Sequence, residues 1–344
     1  MVFKVTLQPT GHTYSANSGV PVLEAGLSAG FTMPYSCRAG NCKTCRGRIV
    51  QGEVDHGSAH GAYLTEQQKA DGFALLCCAK PRSDLVIEVE ELVMQSIVPK
   101  LMPCRIKRMH KPVADVAVVE LRLPMNENLM FAAGQYIDFQ LSDGKTRSYS
   151  IASAPTAEGV IDLELHIRHS PGGVFTDPLF STTKQGELLR LRAPLGTFYL
   201  REESDKPIVF MATGTGFAPV KSMISYALRK GIKRPMALYW ERERADLYMH
   251  ELVQDWASEN LIKYVPVLSR PRQEDQWMGR TGYVQHAVMQ DYPDLSGYQV
   301  YACGSPAMVD AAGNEMVLKN HLAESDFFAD SFVTERERSQ VETA

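Results

Sequence analysis

The sequence of 344 residues has no apolar run near the ~18 residues that a membrane-spanning helix requires, so no membrane-embedded segment is expected. Its opening stretch, MVFKVTLQPT, lacks the long apolar core of a secretory leader, and a cytoplasmic location is expected. There is no basic excess. Lys and Arg number 36 against 40 Asp and Glu, a net charge of −4, which argues against a broad nucleic-acid-binding face. No internal repeat, low-complexity tract, hydrolytic triad or general acid–base pair stands out. The seven cysteines are an odd number in a long chain without an export signal. That argues against a disulfide framework and for metal or redox chemistry in a reducing compartment. What is present is ordinary: 44% apolar and 22% charged residues describe a soluble globular chain. At about 100–200 residues per domain, two or three domains are expected.

Composition shifts divide the chain. Residues 1–93 read as a small mixed domain. Phe3, Val5 and Leu7 alternate with polar neighbours, a turn follows at Pro9-Thr10-Gly11, and Val22, Leu23 and Leu27 share a helix face that Gly30 stops. Thr65 and Gln68 fit a capping box, and Leu85, Ile87 and Val89 alternate again. Residues 94–103, with two prolines, read as a linker. Residues 104–203 are strand-like. Ile161, Leu163, Leu165 and Ile167 give one apolar face, with Asp162, Glu164, His166 and Arg168 on the other. Short strands with Gly/Asp turns, such as Ser142-Asp143-Gly144, suggest an antiparallel sandwich or barrel. Residues 204–332 switch to apolar strands alternating with helices, which implies a parallel sheet with crossover helices. A polar, loose tail is expected over 333–344.

Cys37, Cys42 and Cys45 are spaced C-x4-C-x2-C, and Cys77 and Cys78 follow in a distant segment. This is the spacing of a plant-type 2Fe–2S cluster, with three thiolates on one loop and a fourth from elsewhere. Two irons bridged by two sulfides need four more ligands, and thiolates suit iron–sulfur chemistry. A zinc site more often pairs its ligands as CxxC and CxxC. Gly40 and Asn41 let the loop bend and aim N–H groups at sulfur. Either Cys77 or Cys78 suits the fourth place. Neighbours in an extended segment face opposite sides, so only one binds. Cys104 stands outside the pattern and reads as a small buried residue. The stretches YSCRAGNCKTCRGRIVQGEVD and LLCCAKPRSDLVIE resemble the ferredoxin module of bacterial iron–sulfur flavoprotein reductases. That resemblance implies a β-grasp ferredoxin domain and selects Cys77, four residues before a proline, as the fourth ligand. Lys43 stands where the family often has glycine. With Arg38 and Arg46 it makes a basic mouth that would raise the cluster potential and favour an acidic docking partner.

Thr146-Arg147-Ser148-Tyr149-Ser150 lies between strand patterns, and His166-Ile167-Arg168, Pro171-Gly172-Gly173-Val174 and Thr176 follow. With Ala193-Pro194-Leu195-Gly196-Thr197-Phe198 they resemble the flavin-binding segments of ferredoxin–NADP reductase-like modules. The resemblance implies an antiparallel β-barrel holding FAD. Arg147 would pair with the pyrophosphate through its guanidinium fork. Tyr149 would pack on the isoalloxazine, and Ser150, beside Ser148, would lie near flavin N5. His166, Ile167 and Arg168 would line the flavin; the backbone at Gly172, Gly173 and Val174 and the Thr176 hydroxyl would approach phosphate.

Gly214-Thr215-Gly216-Phe217-Ala218-Pro219 follows an apolar strand and opens a helix, the placement in which glycines and a helix N-terminus receive a pyrophosphate. It resembles the GTGxAP turn of the same reductases, and Cys303-Gly304-Ser305-Pro306 resembles their CGxP motif. These imply a Rossmann-like parallel-sheet domain for NAD(P)H, with Cys303 orienting the nicotinamide. Arg242 or Arg244 would contact the ribose, and Phe332 would stack on the flavin. A carboxylate at Glu241 would repel a 2′-phosphate, so NADH is expected over NADPH.

Hydride brings two electrons, a 2Fe–2S cluster takes one, and FAD converts between them. The resemblance spans residues 3–332 and implies an enzyme of multidomain α+β and α/β fold. It would pass electrons from NADH to FAD to the cluster, and on to the terminal component of a Rieske or di-iron oxygenase that docks transiently near the cluster. GTGFAPVKSM and YACGSPAMVDAA look closest to a second branch, the CDP-6-deoxy-delta-3,4-glucoseen reductase type. A non-enzymatic metal-binding module and a redox sensor are the remaining classes; no nucleic-acid or membrane partner is implied.

Overall fold

The computed structural model describes residues 1–92, 98–243 and 247–333. These form two compact units: residues 1–92 with 330–333, and residues 98–329.

In the first unit, β1 (Val2–Gln8) and β2 (Thr13–Asn17) make a hairpin in which Val5 and Leu7 point inward, as their alternation dictates. Helix α1 (Val22–Ser28) ends before Gly30, whose φ of +90° reverses the chain. The cysteine loop then leads into β3 (Arg46–Gln51) and β4 (Val54–Asp55). Helix α2 (Glu66–Ala70) opens on a capping box: Thr65 Oγ1 accepts from Gln68 N–H at 3.2 Å, and Gln68 Oε1 accepts from Thr65 N–H at 3.0 Å. After β5 (Phe73–Leu75) and β6 (Lys80–Pro81), β7 (Leu85–Glu88) lies parallel to β1 at the centre of a mixed five-stranded sheet, order β2-β1-β7-β3-β5.

The second unit opens with β8 (Lys100–Val113) and β9 (Val116–Arg122). Strand β8 therefore begins inside the stretch read as linker. Residues 93–97 of that region lie outside the described residues, and Lys100 already pairs across the sheet with Ala193. Next come β10 (Tyr136–Gln140), β11 (Thr146–Ser150), β12 (Asp162–Arg168), the short helix α3 (Thr176–Ser181) and β13 (Leu188–Leu195). Their antiparallel sheet runs β11-β10-β13-β8-β9-β12, and just beyond β11 Ile151 bridges back to Leu165 of β12, at the sheet's opposite edge. Leu163, Leu165 and Ile167 are buried against Ile106, Leu121, Phe139 and Leu191.

Strand β14 (Ile208–Thr213) runs into α4 (Phe217–Lys230), then β15 (Met236–Arg242), α5 (His250–Ser258), β16 (Lys263–Leu268), β17 (Arg280–Thr281), α6 (Val284–Asp291), β18 (Gln299–Gly304), α7 (Pro306–Lys319) and β19 (Phe327–Ser331). The sheet order is β17-β16-β15-β14-β18-β19, with β14 parallel to both β15 and β18. Strands β15 and β18 are buried along their full length, which is why they read as apolar runs. From β14 the chain first moves one way through the sheet and later returns on its other side. The reversal lies between β14 and β18, which by the rule for open α/β sheets puts the ligand crevice at those strands' carboxyl ends. Among the described residues no helix is long and apolar enough to cross a membrane.

Candidate cofactor sites

The cysteine loop is buried backbone folded around sulfur. Cys37, Cys42 and Cys45 are buried and Cys77 is half-buried; all are free thiols. Among the described residues, no three His, Cys, Asp or Glu side chains converge as the ligands of one ion would. Among the four thiols two pairs are hydrogen-bonded, Cys37 with Cys42 and Cys45 with Cys77, and Cys77 is also bonded to Cys78. Two pairs suit two irons, each taking two thiolates and two bridging sulfides, so the donor set fits a 2Fe–2S cluster. Its bond to Cys37 brings the Cys42 thiol down to about 6, while the same bond and burial push Cys37 up. Backbone N–H groups aim at sulfur: Ala39 to Cys37 at 3.5 Å, with Thr44 bonded to Cys42 and Gly40 to Cys77. Gly40 has φ +73°, and a Cβ there would lie 2.9 Å from Cys78 Sγ and 2.9 Å from the Ser58 carbonyl oxygen. Only glycine allows that approach.

The expectation that Cys77 and Cys78 face opposite ways fails. Residues 76–78 form a turn, not an extended strand, and the two Sγ atoms lie 3.7 Å apart. Cys78 is distinguished by its partner, the Ser58 hydroxyl, at 3.6 Å. At the expected basic mouth, Arg46 lays its guanidinium over the Phe73 ring, 5.2 Å from its centroid. On the loop's N-terminal side, Ser36 Oγ donates to Asp330 Oδ1 at 2.7 Å and accepts from Ser331 N–H at 2.9 Å. No sequence signal joined these residues.

On β11, Arg147 is half-buried and donates to the Thr146 carbonyl, and Ser148 Oγ donates to Asp138 at 2.6 Å. The Tyr149 ring packs 5.9 Å from Phe139 and 5.5 Å from Phe175, and burial pushes its hydroxyl pKa up. Ser150 differs from these: its Oγ is buried with no hydrogen-bond partner among the described residues. A buried hydroxyl without a partner is costly unless something completes it, and a flavin edge offers acceptors. The site therefore fits FAD at this atom. The second flavin segment is engaged internally. Gly172 N–H donates to Asp177 at 3.0 Å, Gly173 N–H to the Ser170 carbonyl at 2.9 Å, and Thr176 Oγ1 to the same carbonyl at 2.8 Å. Val174 is exposed and the Ile167 side chain lies in the core. Arg168 points outward, 3.3 Å from Asp115. The His166 ring is wholly buried, with Nδ1 2.8 Å from the Tyr248 hydroxyl and Nε2 2.8 Å from Glu164.

At the crevice, Gly214 takes φ +54° and turns β14 into α4. Gly216 packs so tightly on β18 that a Cβ would come within 2.2 Å of the Cys303 carbonyl oxygen. Thr215 and Cys303 are buried, and Gly304 takes φ +141°. Ser305 N–H donates to Thr213 Oγ1 at 2.9 Å, and the Ser305 side chain caps α7, with Pro306 in the first turn, where no N–H is needed. Both glycine motifs thus meet at the carboxyl ends of adjacent strands, the place where an open α/β sheet receives a dinucleotide. Arg242 is buried, its Nη2 donating to Asp115 at 2.9 Å, and Arg244 lies outside the described residues. Glu241 overturns its expectation. It is buried, and its Oε2 accepts the Val284 N–H at 2.8 Å at the start of α6. A carboxylate capping a helix does not face a ribose, so it gives no ground for NADH over NADPH. Phe332 is half-buried and groups with the first unit.

Three family descriptions match in succession: "2Fe-2S iron-sulfur cluster binding domain" over residues 5–82, "Oxidoreductase FAD-binding domain" over 103–199 and "Oxidoreductase NAD-binding domain" over 210–314. The CDP-6-deoxy-L-threo-D-glycero-4-hexulose-3-dehydrase reductase of Yersinia pseudotuberculosis is 40% identical over 336 residues, 97% of this chain and 99% of that protein. The reductase component DmpP of phenol 2-monooxygenase from Pseudomonas is 32% identical, covering 97% of this chain and 95% of its own length. The crystal structure of the Amycolatopsis reductase GcoB superposes with a TM-score of 0.76 at 31% identity, covering 96% of this chain and 99% of that one. The chain belongs to the family of iron–sulfur flavoprotein oxidoreductases that carry a 2Fe–2S domain, an FAD-binding domain and an NAD-binding domain in one polypeptide.

Proposed function

We propose that this enzyme takes hydride from NAD(P)H and delivers electrons singly to a separate acceptor protein through its cluster. The observation that carries the reading is the pairing of Cys37 with Cys42 on the loop and of Cys45 with the distant Cys77, in a chain whose glycine turns also meet at the ends of β14 and β18. FAD supplies the two-electron acceptor able to release electrons one at a time; the chain's residues hold and align it. Residues 1–93 carry the cluster on a β-grasp fold, with Cys37, Cys42, Cys45 and Cys77 as ligands. Residues 104–203 carry FAD on a barrel that the Ile151–Leu165 bridge supports as closed. There Ser150 offers its hydroxyl to the flavin, Tyr149 packs beside the ring and Arg147 faces the pyrophosphate. Residues 204–332 hold the nucleotide on a Rossmann-like sheet. Gly214, Thr215 and Gly216 approach its phosphates, and Cys303, Gly304 and Pro306 shape the nicotinamide seat.

The acceptor we infer is the terminal component of a multicomponent oxygenase, docking transiently near the cluster, as the relation to DmpP supports. A second acceptor, a CDP-6-deoxyhexulose 3-dehydrase, is favoured by the 40% end-to-end identity to the Yersinia reductase. Reconstituting turnover with each class of partner separates the two. The electron order itself is tested with Cys42→Ser. It abolishes NADH-dependent cytochrome c reduction while sparing most ferricyanide reduction, which occurs at the flavin. If both activities survive unaltered, the order is wrong.

A further inference from the structure

We propose that His166–Tyr248 and Asp115–Arg242 form a two-point clasp that holds the nucleotide-side strand against the flavin-side strands and so sets the alignment for hydride transfer. In it His166 is a positioning residue, not a flavin ligand. The proposal rests on the reading that hydride passes from NAD(P)H to FAD within this unit.

The first point is a hydrogen-bonded chain in which every atom has one role. Burial pushes the Glu164 carboxyl up, but its bond from His166 and the Lys221 ammonium at 2.9 Å outweigh this and hold it at about 2. The ionised carboxylate accepts only, so His166 Nε2 carries the proton. Burial also keeps His166 neutral, so its Nδ1 is a bare acceptor and the Tyr248 hydroxyl donates to it. Burial raises the Tyr248 hydroxyl well above its ordinary range, so it stays protonated and the chain acts as a lock, not a proton relay.

Tyr248 is continuous with the glycine turn. Its ring meets Trp240 edge-on at 5.1 Å, and Trp240 stacks on Phe217 at 4.1 Å. Trp240 Nε1 donates to the Gly214 carbonyl at 2.9 Å. A displacement of Tyr248 is therefore felt at the cradle itself. The second point lies at the end of β15, where Arg242 Nη2 meets Asp115 at 2.9 Å. Asp115 sits in the turn between β8 and β9, and its backbone carbonyl accepts from His169 N–H at 2.8 Å, just past β12. Both points tie β15 and the residues after it to the strand pair β9–β12.

Tyr248→Phe keeps the ring and removes the hydroxyl. The holoenzyme, carrying FAD and cluster, is mixed anaerobically with saturating NADH. Flavin bleaching and the long-wavelength charge-transfer absorbance of nicotinamide stacked on flavin are both followed. We expect bleaching at least about tenfold slower than wild type, with a weakened charge-transfer band and unchanged FAD content and flavin midpoint potential. Asp115→Asn loosens the other point without touching Tyr248 and gives the same pair of changes. Wild-type rates and bands in both variants overturn the clasp. So does His166→Gln if it loses FAD while the band of the remaining holoenzyme is intact, since His166 would then be a flavin ligand. Wild-type protein that NADH fails to bleach overturns the underlying functional reading, a result distinct from either.

Discussion

Gly216 isolates one physical demand of the nucleotide crevice. Its φ of −58° is ordinary for any residue, so conformation does not require glycine there. Space does. A Cβ would stand 2.2 Å from the Cys303 carbonyl oxygen, 2.6 Å from its carbon and 2.9 Å from Gly304 N. These are backbone atoms at the end of a strand held by its ladder to β14 and by the Ser305–Thr213 bond. Reaching even a 3.0 Å separation moves the Cys303 carbonyl by at least 0.8 Å. Overpacking of this kind costs about 1–3 kcal/mol, and a ~1 Å misplacement near reacting atoms costs up to ~100-fold in rate. Gly216→Ala is therefore expected to retain cluster and FAD while its flavin is bleached by NADH about 10- to 100-fold more slowly in anaerobic stopped flow. Gly297 has ordinary φ and open space around its missing Cβ, so Gly297→Ala is the matched control. Equal bleaching rates in the two variants would refute the argument that contact with Cys303 sets the nicotinamide seat.

Burial lifts the Asp330 carboxyl from 3.8 to about 6, with the Ser36 hydroxyl partly opposing. Its folded pKa is thus above its unfolded one, so its contribution to stability is full below about pH 4 and is lost as pH rises through 6, by about 3 kcal/mol. Asp330→Asn still accepts from Ser36. Its cluster absorbance should survive to higher temperature than wild type at pH 8, with the gap closing towards pH 5; a gap independent of pH counts against the assignment. Ser150→Ala removes a buried hydroxyl that has no partner among the described residues. The apoprotein should melt no lower than wild type, while the FAD dissociation constant rises about 2- to 12-fold, the weight of one hydrogen bond of ~0.5–1.5 kcal/mol. Unchanged FAD affinity by titration would show that Ser150 does not meet the flavin.

The features legible in the sequence were those whose partners lie within a few residues: the cysteine loop, the Thr65–Gln68 box, and the glycine turns after β14 and β18. The start of β8 was legible in principle. Met102, Cys104 and Ile106 alternate and all three are buried, but Pro99 and Pro103 beside them read as linker, although proline is tolerated where it needs no ladder N–H. Two side chains expected at the ligand are engaged by the protein, and for a common reason. His166 and Glu241 are polar residues on strands that lead towards the cofactor crevice, and such residues read as ligand-facing. In this unit the same ends are where one sheet's strands meet the other's, so a polar side chain there has two claimants, a ligand and a neighbouring element. Glu241 is taken by the backbone N–H of Val284, 43 residues on, and His166 by Tyr248, 82 residues on. No periodicity carries pairings across such separations. What decides between the claimants is hydrogen-bonding capacity. Both His166 nitrogens find partners inside the protein, whereas Ser150 Oγ has none among the described residues, so of these two side chains the serine is the one left with a bond to give.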